Sequence, residues 1–128
     1  VVVKAGEIIG RGMNEVTSVN DPTAHAEMTA IRQACEHLNQ WNLAVCELYT
    51  SCEPCPMCMG AVYWARLERI YYGNTKEVAG QFGFNSQYFY DELAKPREQR
   101  QLSMHPLMSA EALAAVEEWA QQADKKSY

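Results

Sequence analysis

The chain has 128 residues, 48% of them apolar and 21% charged, which is enough for one hydrophobic core and too apolar for a disordered segment. Sixteen acidic against eleven basic residues leave a net charge of −5, and this opposes a large phosphate-binding surface, so no nucleic-acid partner is expected. No apolar run approaches the roughly 18 residues of a membrane span, and V-V-V-K-A-G-E-I-I-G lacks the basic start and apolar core of a secretory signal; a cytoplasmic protein with no membrane partner is expected.

In chain order, residues 1–4 and 7–12 read as two short strands around an Ala5-Gly6 turn, glycine tolerating the positive φ needed there. Asp21-Pro22 marks a helix start, with Asp as cap and Pro in the first position. Ala24, Met28, Ile31, Cys35 and Leu38 then recur every three or four residues, predicting one apolar helix face that ends near Asn39. Residues 43–50 predict a buried strand, 55–66 a second helix, and 69–73 (R-I-Y-Y-G) a third clear strand. The two strand-helix-strand passages imply parallel neighbours joined by right-handed crossovers.

Residues 74–86, with Gly80 and Gly83, read as a loop. A short helix is expected over 87–93, stopped by Lys95-Pro96, and an edge strand over 101–105 before Pro106. Ser109 is expected to cap a last helix whose inner stripe is Leu113, Val116, Ala120 and Ala123, with Met108 stapled onto Leu113. The polar tail D-K-K-S-Y follows, ending in Tyr128. Repeats, low-complexity segments and linkers are absent from the sequence.

Five cysteines, Cys35, Cys46, Cys52, Cys55 and Cys58, are odd in number and irregular in spacing, so reduced, buried or metal-bound thiols are expected rather than disulfides. Cys55 and Cys58 fall at i and i+3 where a strand turns into a helix, beside unpaired backbone N–H groups that favour thiolate. By itself, C-x-x-C suits a redox pair as well as a metal. The choice comes from T-A-H-A-E at 23–27, about thirty residues upstream. That gap holds one helix and one strand, and parallel winding brings both helix starts to the same end of the sheet. One imidazole, His25, and two thiolates, Cys55 and Cys58, then converge. Three protein ligands leave a fourth tetrahedral position for water, the arrangement of a catalytic zinc, and Glu27 is placed as its proton carrier. H-x-E upstream of P-C-x-x-C is the signature of zinc nucleobase deaminases.

Other readings stand beside this one. A structural zinc module would need a fourth ligand from His105 or Cys52, and a thiol-disulfide oxidoreductase would need thiols that cycle freely. His37 and His105 read as surface or core, Cys35 and Cys46 as packing residues, and Cys52 as structural. Phe84 and Trp64 are candidates for stacking on an aromatic substrate, although Trp64 fits a core role equally.

N-D-P-T-A-H-A-E and Y-T-S-C-E-P-C-P-M-C-M-G-A-V-Y-W-A-R resemble the cytidine deaminase superfamily of zinc nucleobase deaminases and, within it, the bacterial guanine deaminases. The resemblance runs almost end to end, through G-F at 83–84, K-P at 95–96 and the terminal K-K-S-Y. It implies a three-layer α/β/α sandwich with a mixed five-stranded sheet, formed by one deaminase domain over residues 1–128. Members carry an N-terminal helix and a strand before the point where this chain begins, so the resemblance implies that these are absent here.

The resemblance also implies one Zn2+ per chain on His25, Cys55 and Cys58, with Glu27 as proton shuttle. It makes Asn14 a hydrogen-bond partner of the bound base. The tail at 124–128 would be exchanged within a homodimer, so that Tyr128 helps to hold the base in the partner's site. The family has an acidic residue after G-F where this chain has Asn85 and Ser86. Neither is a carboxylate, yet both can hydrogen-bond a polar base edge. The implied reaction is hydrolysis of guanine to xanthine plus ammonia. The alternatives are another amino purine, pyrimidine or triazine, or adenosine in tRNA.

Overall fold

The computed structural model describes residues 1–126, which form two compact units, residues 1–91 and the chain from Glu92 onward. In the first unit, β1 (Val2–Lys4) and β2 (Glu7–Gly10) form the expected hairpin. Ala5 and Gly6 both take positive φ, 49° and 84°, as a tight two-residue hairpin turn requires. A four-residue helix, α1 (Val16–Val19), follows and was not legible in the sequence.

The next helix, α2 (Ala26–Leu38), starts later than expected. Asp21 does not cap it: its carboxylate accepts from the Thr23 backbone N–H at 2.8 Å and from the Thr23 hydroxyl at 2.7 Å, closing a local turn. The cap position belongs to His25, and the helix ends at Asn39 as expected, with φ 49°. Ala30, Ile31 and Ala34 form its buried stripe.

Strand β3 (Cys46–Cys52) lies a few residues beyond the expected one, Leu43 being buried ahead of it; α3 (Pro56–Ala65) and β4 (Arg69–Asn74) match their expected positions closely. The sheet order is β2-β1-β3-β4, with β1 antiparallel to both neighbours and β3 parallel to β4. Only the passage through α3 therefore joins hydrogen-bonded parallel neighbours. The passage through α2 carries the chain from β2 to β3 with β1 between them.

The sheet is mixed, within an α/β architecture, but among the described residues it has four strands rather than five. The expected edge strand over 101–105 does not form. Its Gln-Leu-Ser-Met-His run lacks a sustained β-branched or aromatic pattern, and the segment carries no regular structure. The 74–86 region also differs from expectation: Thr75 accepts from the Val78 N–H and starts α4 (Lys76–Gln81), a capping signal that Gly80 obscured.

Alternation in β3 sets its two faces. Cys46 and Leu48 point into the core with Val2, Ile9, Ala30, Ala34, Leu43 and Val62. On the other face Glu47 pairs with Arg69 at 3.2 Å, and the rings of Tyr49 and Tyr71 stack with centroids 4.7 Å apart. Close approach of β2 and the two residues after it to α2 explains two glycines. A Cβ on Gly10 would fall 2.2 Å from the Ala30 carbonyl oxygen, and one on Gly12 would fall 2.1 Å from that of Ala26.

Helix α5 (Gln87–Ala94) matches its expected span and crosses from the first unit into the second. Beyond it lie a 3₁₀ turn, Arg97–Gln99, and α6 (Ser109–Gln121). Met108, at φ 49°, takes the cap position expected for Ser109, which is the first helical residue instead. The expected inner stripe of α6 is not buried, since every described residue from Gln101 onward is exposed. The tail reading falls partly on Ser127 and Tyr128, outside the described residues.

Candidate active site

Two helix starts build the site. His25 and Cys55 are the N-caps of α2 and α3, with nearly the same extended backbone, φ −70° and −69°. Pro56 occupies the first position of α3, where its missing N–H costs no hydrogen bond. Cys58 is then the third helical residue, one turn along on the side of Cys55, and Glu27 is the second residue of α2. Both positive helix ends thus meet where thiolates are wanted.

The ligand atoms form a nearly equilateral triangle. His25 Nδ1 lies 3.6 Å from each sulfur, and the sulfurs lie 3.6 Å apart. A tetrahedral zinc with Zn–S near 2.3 Å and Zn–N near 2.0–2.1 Å separates such donors by about 3.8 Å (S to S) and about 3.5 Å (S to N). The donors present fit that ion in type and in spacing. Among the described residues this is the one His/Cys/Asp/Glu group whose ligand atoms all lie within 4.8 Å of one another, and Cys52 is not part of it. The closed module drawing a fourth ligand from Cys52 therefore finds no support in the geometry.

The two thiols are driven apart in acidity. Cys55 is lowered to about 5 by its hydrogen bond with Cys58, by the N–H groups of Cys58 and Met57 and by His25, against the opposing effect of burial. Cys58 is pushed up by that same hydrogen bond, by burial and by the negative charge of Glu27. Cys58 Sγ also donates to Glu27 Oε2 at 3.4 Å. Cys35 and Cys46 are raised mainly by burial, which suits inert packing thiols. No cysteine is in a disulfide among the described residues.

Two further residues reach this cluster, and the sequence reading missed both. Thr50 Oγ1 donates to Glu27 Oε1 at 2.6 Å. The alternation Cys46-Leu48-Thr50 puts Thr50 on the helix-facing side of β3, near the strand end where the site forms, and that was the available signal. Tyr90, on α5, donates its hydroxyl to the carbonyl oxygen of Pro54, the residue before Cys55, at 2.7 Å. A contact of 36 residues' separation leaves no local pattern to read.

The expected substrate residues lie as follows. Asn14 is exposed, and its side-chain oxygen accepts from the Val16 N–H at 3.2 Å, just ahead of α1. Trp64 is 65% exposed on α3, which excludes the core role. Phe84 is 66% exposed, and Ser86 follows it at the start of α5, its N–H bonded to the Phe84 carbonyl oxygen. His37 and His105 are both exposed, as the surface reading expects.

Residues 1–74 match the family model described as "Cytidine and deoxycytidylate deaminase zinc-binding region". The whole chain is 48% identical to guanine deaminase of Bacillus subtilis over 128 residues, covering 82% of that protein. A tRNA-specific adenosine deaminase of Aquifex aeolicus is 50% identical over 70 residues, 55% of this chain and 46% of its own length. The crystal structure of guanine deaminase from Bacillus subtilis superposes with a TM-score of 0.95 at 48% identity, covering all of this chain and 82% of that one. The histidine and two cysteines at paired helix starts, and the Glu beside them, thus lie in a chain that belongs to the cytidine and deoxycytidylate deaminase family of zinc-binding enzymes.

Proposed function

We propose that the chain is a zinc-dependent aminohydrolase acting on a free nucleobase, converting guanine and water to xanthine and ammonia. The observation that carries this reading is the carboxylate of Glu27 in contact with the ligand triangle, 3.4 Å from the Cys58 sulfur. A proton carrier beside metal ligands is what hydrolytic deamination needs and a structural zinc module does not. Identity of 48% to guanine deaminase across the full chain supports the choice of base.

His25, Cys55 and Cys58 would hold the zinc, which supplies Lewis-acid activation of a water near neutral pH. Glu27 accepts the proton of the attacking water and places it on the ring nitrogen next to the amino-bearing carbon, making that carbon electrophilic. Once the water oxygen has bonded to that carbon, the carboxylate takes the second proton of the added water and passes it to the amine, which leaves as ammonia when the C–N bond breaks, so one group serves as base and then acid. Thr50 fixes Oε1, which leaves Oε2 to face the chemistry. Asn14 and Ser86 are assigned to the polar edges of the base, and Phe84, Trp64 and Tyr128 to its ring faces.

The active form in this reading is a cytoplasmic homodimer. The exposed apolar side chains of the second unit support the dimer, Leu107 at 82% and Val116 at 60% among them. The free thiols support the reducing compartment. A tRNA substrate is disfavoured by the net charge of −5.

Ammonia release from a panel of amino purines, pyrimidines, triazines and labelled tRNA tests the substrate. Glu27→Gln tests the role of the carboxylate: zinc should stay bound while turnover of guanine falls by orders of magnitude. Faster release from another substrate overturns the choice of guanine, and full activity in Glu27→Gln overturns the mechanism.

A further inference from the structure

The loop that presents Cys55 is held from outside the metal site. Glu53 donates its N–H to the Asn74 carbonyl oxygen at 2.8 Å, while its carboxylate accepts the Lys76 N–H at 3.0 Å and lies 3.6 Å from the Lys76 ammonium. That ammonium sits 5.5 Å from the centre of the Tyr90 ring. Tyr90 in turn donates its hydroxyl to the Pro54 carbonyl oxygen at 2.7 Å. Glu53 and Pro54 are the two residues just before Cys55. The Glu53 N–H and the Pro54 carbonyl are thereby tied to groups beyond the loop.

The same tether reaches the turn after Phe84. The Tyr90 N–H bonds back to the Ser86 carbonyl oxygen at 3.4 Å, so Ser86 and Tyr90 share one face of α5, a single turn apart. Fixing Tyr90 against Pro54 fixes the start of α5, and with it Ser86, relative to the Cys55 loop. Burial raises the phenol of Tyr90, so its hydroxyl keeps the donor proton through the neutral range.

We propose that Tyr90 is a positioning residue, its hydroxyl on the Pro54 carbonyl and its ring against Lys76 setting both the Cys55 metal loop and the Ser86 turn. The part concerning Ser86 rests on the function proposed above; the part concerning Cys55 does not. Partners of this outer kind orient metal ligands, and their loss commonly costs 10- to 100-fold in metal affinity or activity. The hydroxyl of Tyr90 acts through a backbone carbonyl and touches no reacting atom.

The test uses zinc-loaded full-length protein and two variants. Tyr90→Phe keeps the ring and removes the donor; Lys76→Met removes the ion pair and the cation beside the ring. Zinc transfer to an excess of chromophoric chelator, followed well below the melting temperature, should be about tenfold faster in Tyr90→Phe and intermediate in Lys76→Met. Cobalt-substituted Tyr90→Phe should show an altered thiolate-to-cobalt absorption, a readout that loss of general stability does not move. The KM for guanine should rise several-fold with the zinc content unchanged. Wild-type zinc release together with a wild-type cobalt spectrum in Tyr90→Phe overturns the proposal. If wild-type protein leaves guanine untouched, the proposed function fails while the chelator and cobalt readings still decide the tether.

Discussion

Thr50 and Glu27 meet across the gap between β3 and α2, the threonine hydroxyl donating to Oε1 at 2.6 Å. Glu27 is the second residue of its helix and Thr50 lies near the end of its strand, so this bond holds Oε1 while Oε2 faces the Cys58 sulfur. A hydrogen bond to a charged group is worth about 1.5–3 kcal/mol. Thr50→Val keeps the shape and removes the donor. Its kcat for guanine should fall about tenfold or more, with zinc content and KM near wild type, and Thr50→Ser should restore most of the loss. Steady-state kinetics with metal analysis checks this; an unchanged kcat in Thr50→Val would leave Glu27 aimed by something else.

The two ligand sulfurs should differ in reactivity once the metal is stripped. Cys55 is lowered to about 5 by its hydrogen bond with Cys58 and by neighbouring N–H groups, whereas Cys58 is raised by that bond and by burial. At pH 7 the first is a thiolate and the second a thiol, and the thiolate is the nucleophile. Limited alkylation of chelator-treated protein, mapped by mass spectrometry, should mark Cys55 well ahead of Cys58. The labelling rate of Cys55 should be flat from pH 7 down to about 6 and fall as the pH drops through about 5. Added zinc should protect both residues. Equal labelling of the two at pH 7 contradicts the asymmetry.

The candidate zinc ligands and Glu27 were legible because H-x-E and C-x-x-C mark positions fixed by helix geometry: a cap, the second helical residue, a cap and the third helical residue. Such spacings survive errors of a few residues in the helix boundaries, which is why the late start of α2 did no harm to His25. The hairpin was legible from Ala5-Gly6 and the end of α2 from Asn39, both local turn chemistry. What escaped depends on a competing local turn or on distant partners. Asp21 reads as a cap until Thr23 takes its carboxylate, and Tyr90 reads as one more apolar residue of a short helix until the Pro54 carbonyl takes its hydroxyl. The interposition of β1 between β2 and β3 likewise leaves no trace in the order of elements along the chain, since the same order serves adjacent strands.

Gly12 should be intolerant of any side chain. A Cβ there would fall 2.1 Å from the carbonyl oxygen of Ala26, which lies between His25 and Glu27, and 2.7 Å from the backbone nitrogen of Ala30. Backbone atoms in the first turns of a packed helix cannot move aside independently, so α2 must shift as a whole. Gly12→Ala should cost about 1–3 kcal/mol, the usual range for overpacking. Because the shift is felt at His25, zinc affinity should fall together with stability. Thermal unfolding and chelator competition measure the two. A variant with wild-type values in both would show that β2 and α2 are not in the close contact described.

The last prediction concerns what covers α6. This helix has thirteen residues, and Leu113, Val116 and Trp119 recur on it at intervals of three, a stripe that a solvated helix has no reason to carry. Isolated helices of that length are marginal in water, and most helix stability in proteins comes from packing an apolar face. With every described residue of α6 exposed in the single chain, the stripe calls for a partner surface, and a second copy of the chain supplies one without a further component. Leu113 is 54% exposed and central to the stripe. Light scattering on a sizing column should give the mass of a dimer for the wild type, and Leu113→Asp should shift the mass toward the monomer and lower the helical signal in far-ultraviolet circular dichroism. Removing an apolar contact and placing a charge in a desolvated interface act in the same direction, so the dissociation constant should rise by at least about a hundredfold. A wild-type protein that stays monomeric at tens of micromolar with α6 intact would show that the helix stands without a partner copy.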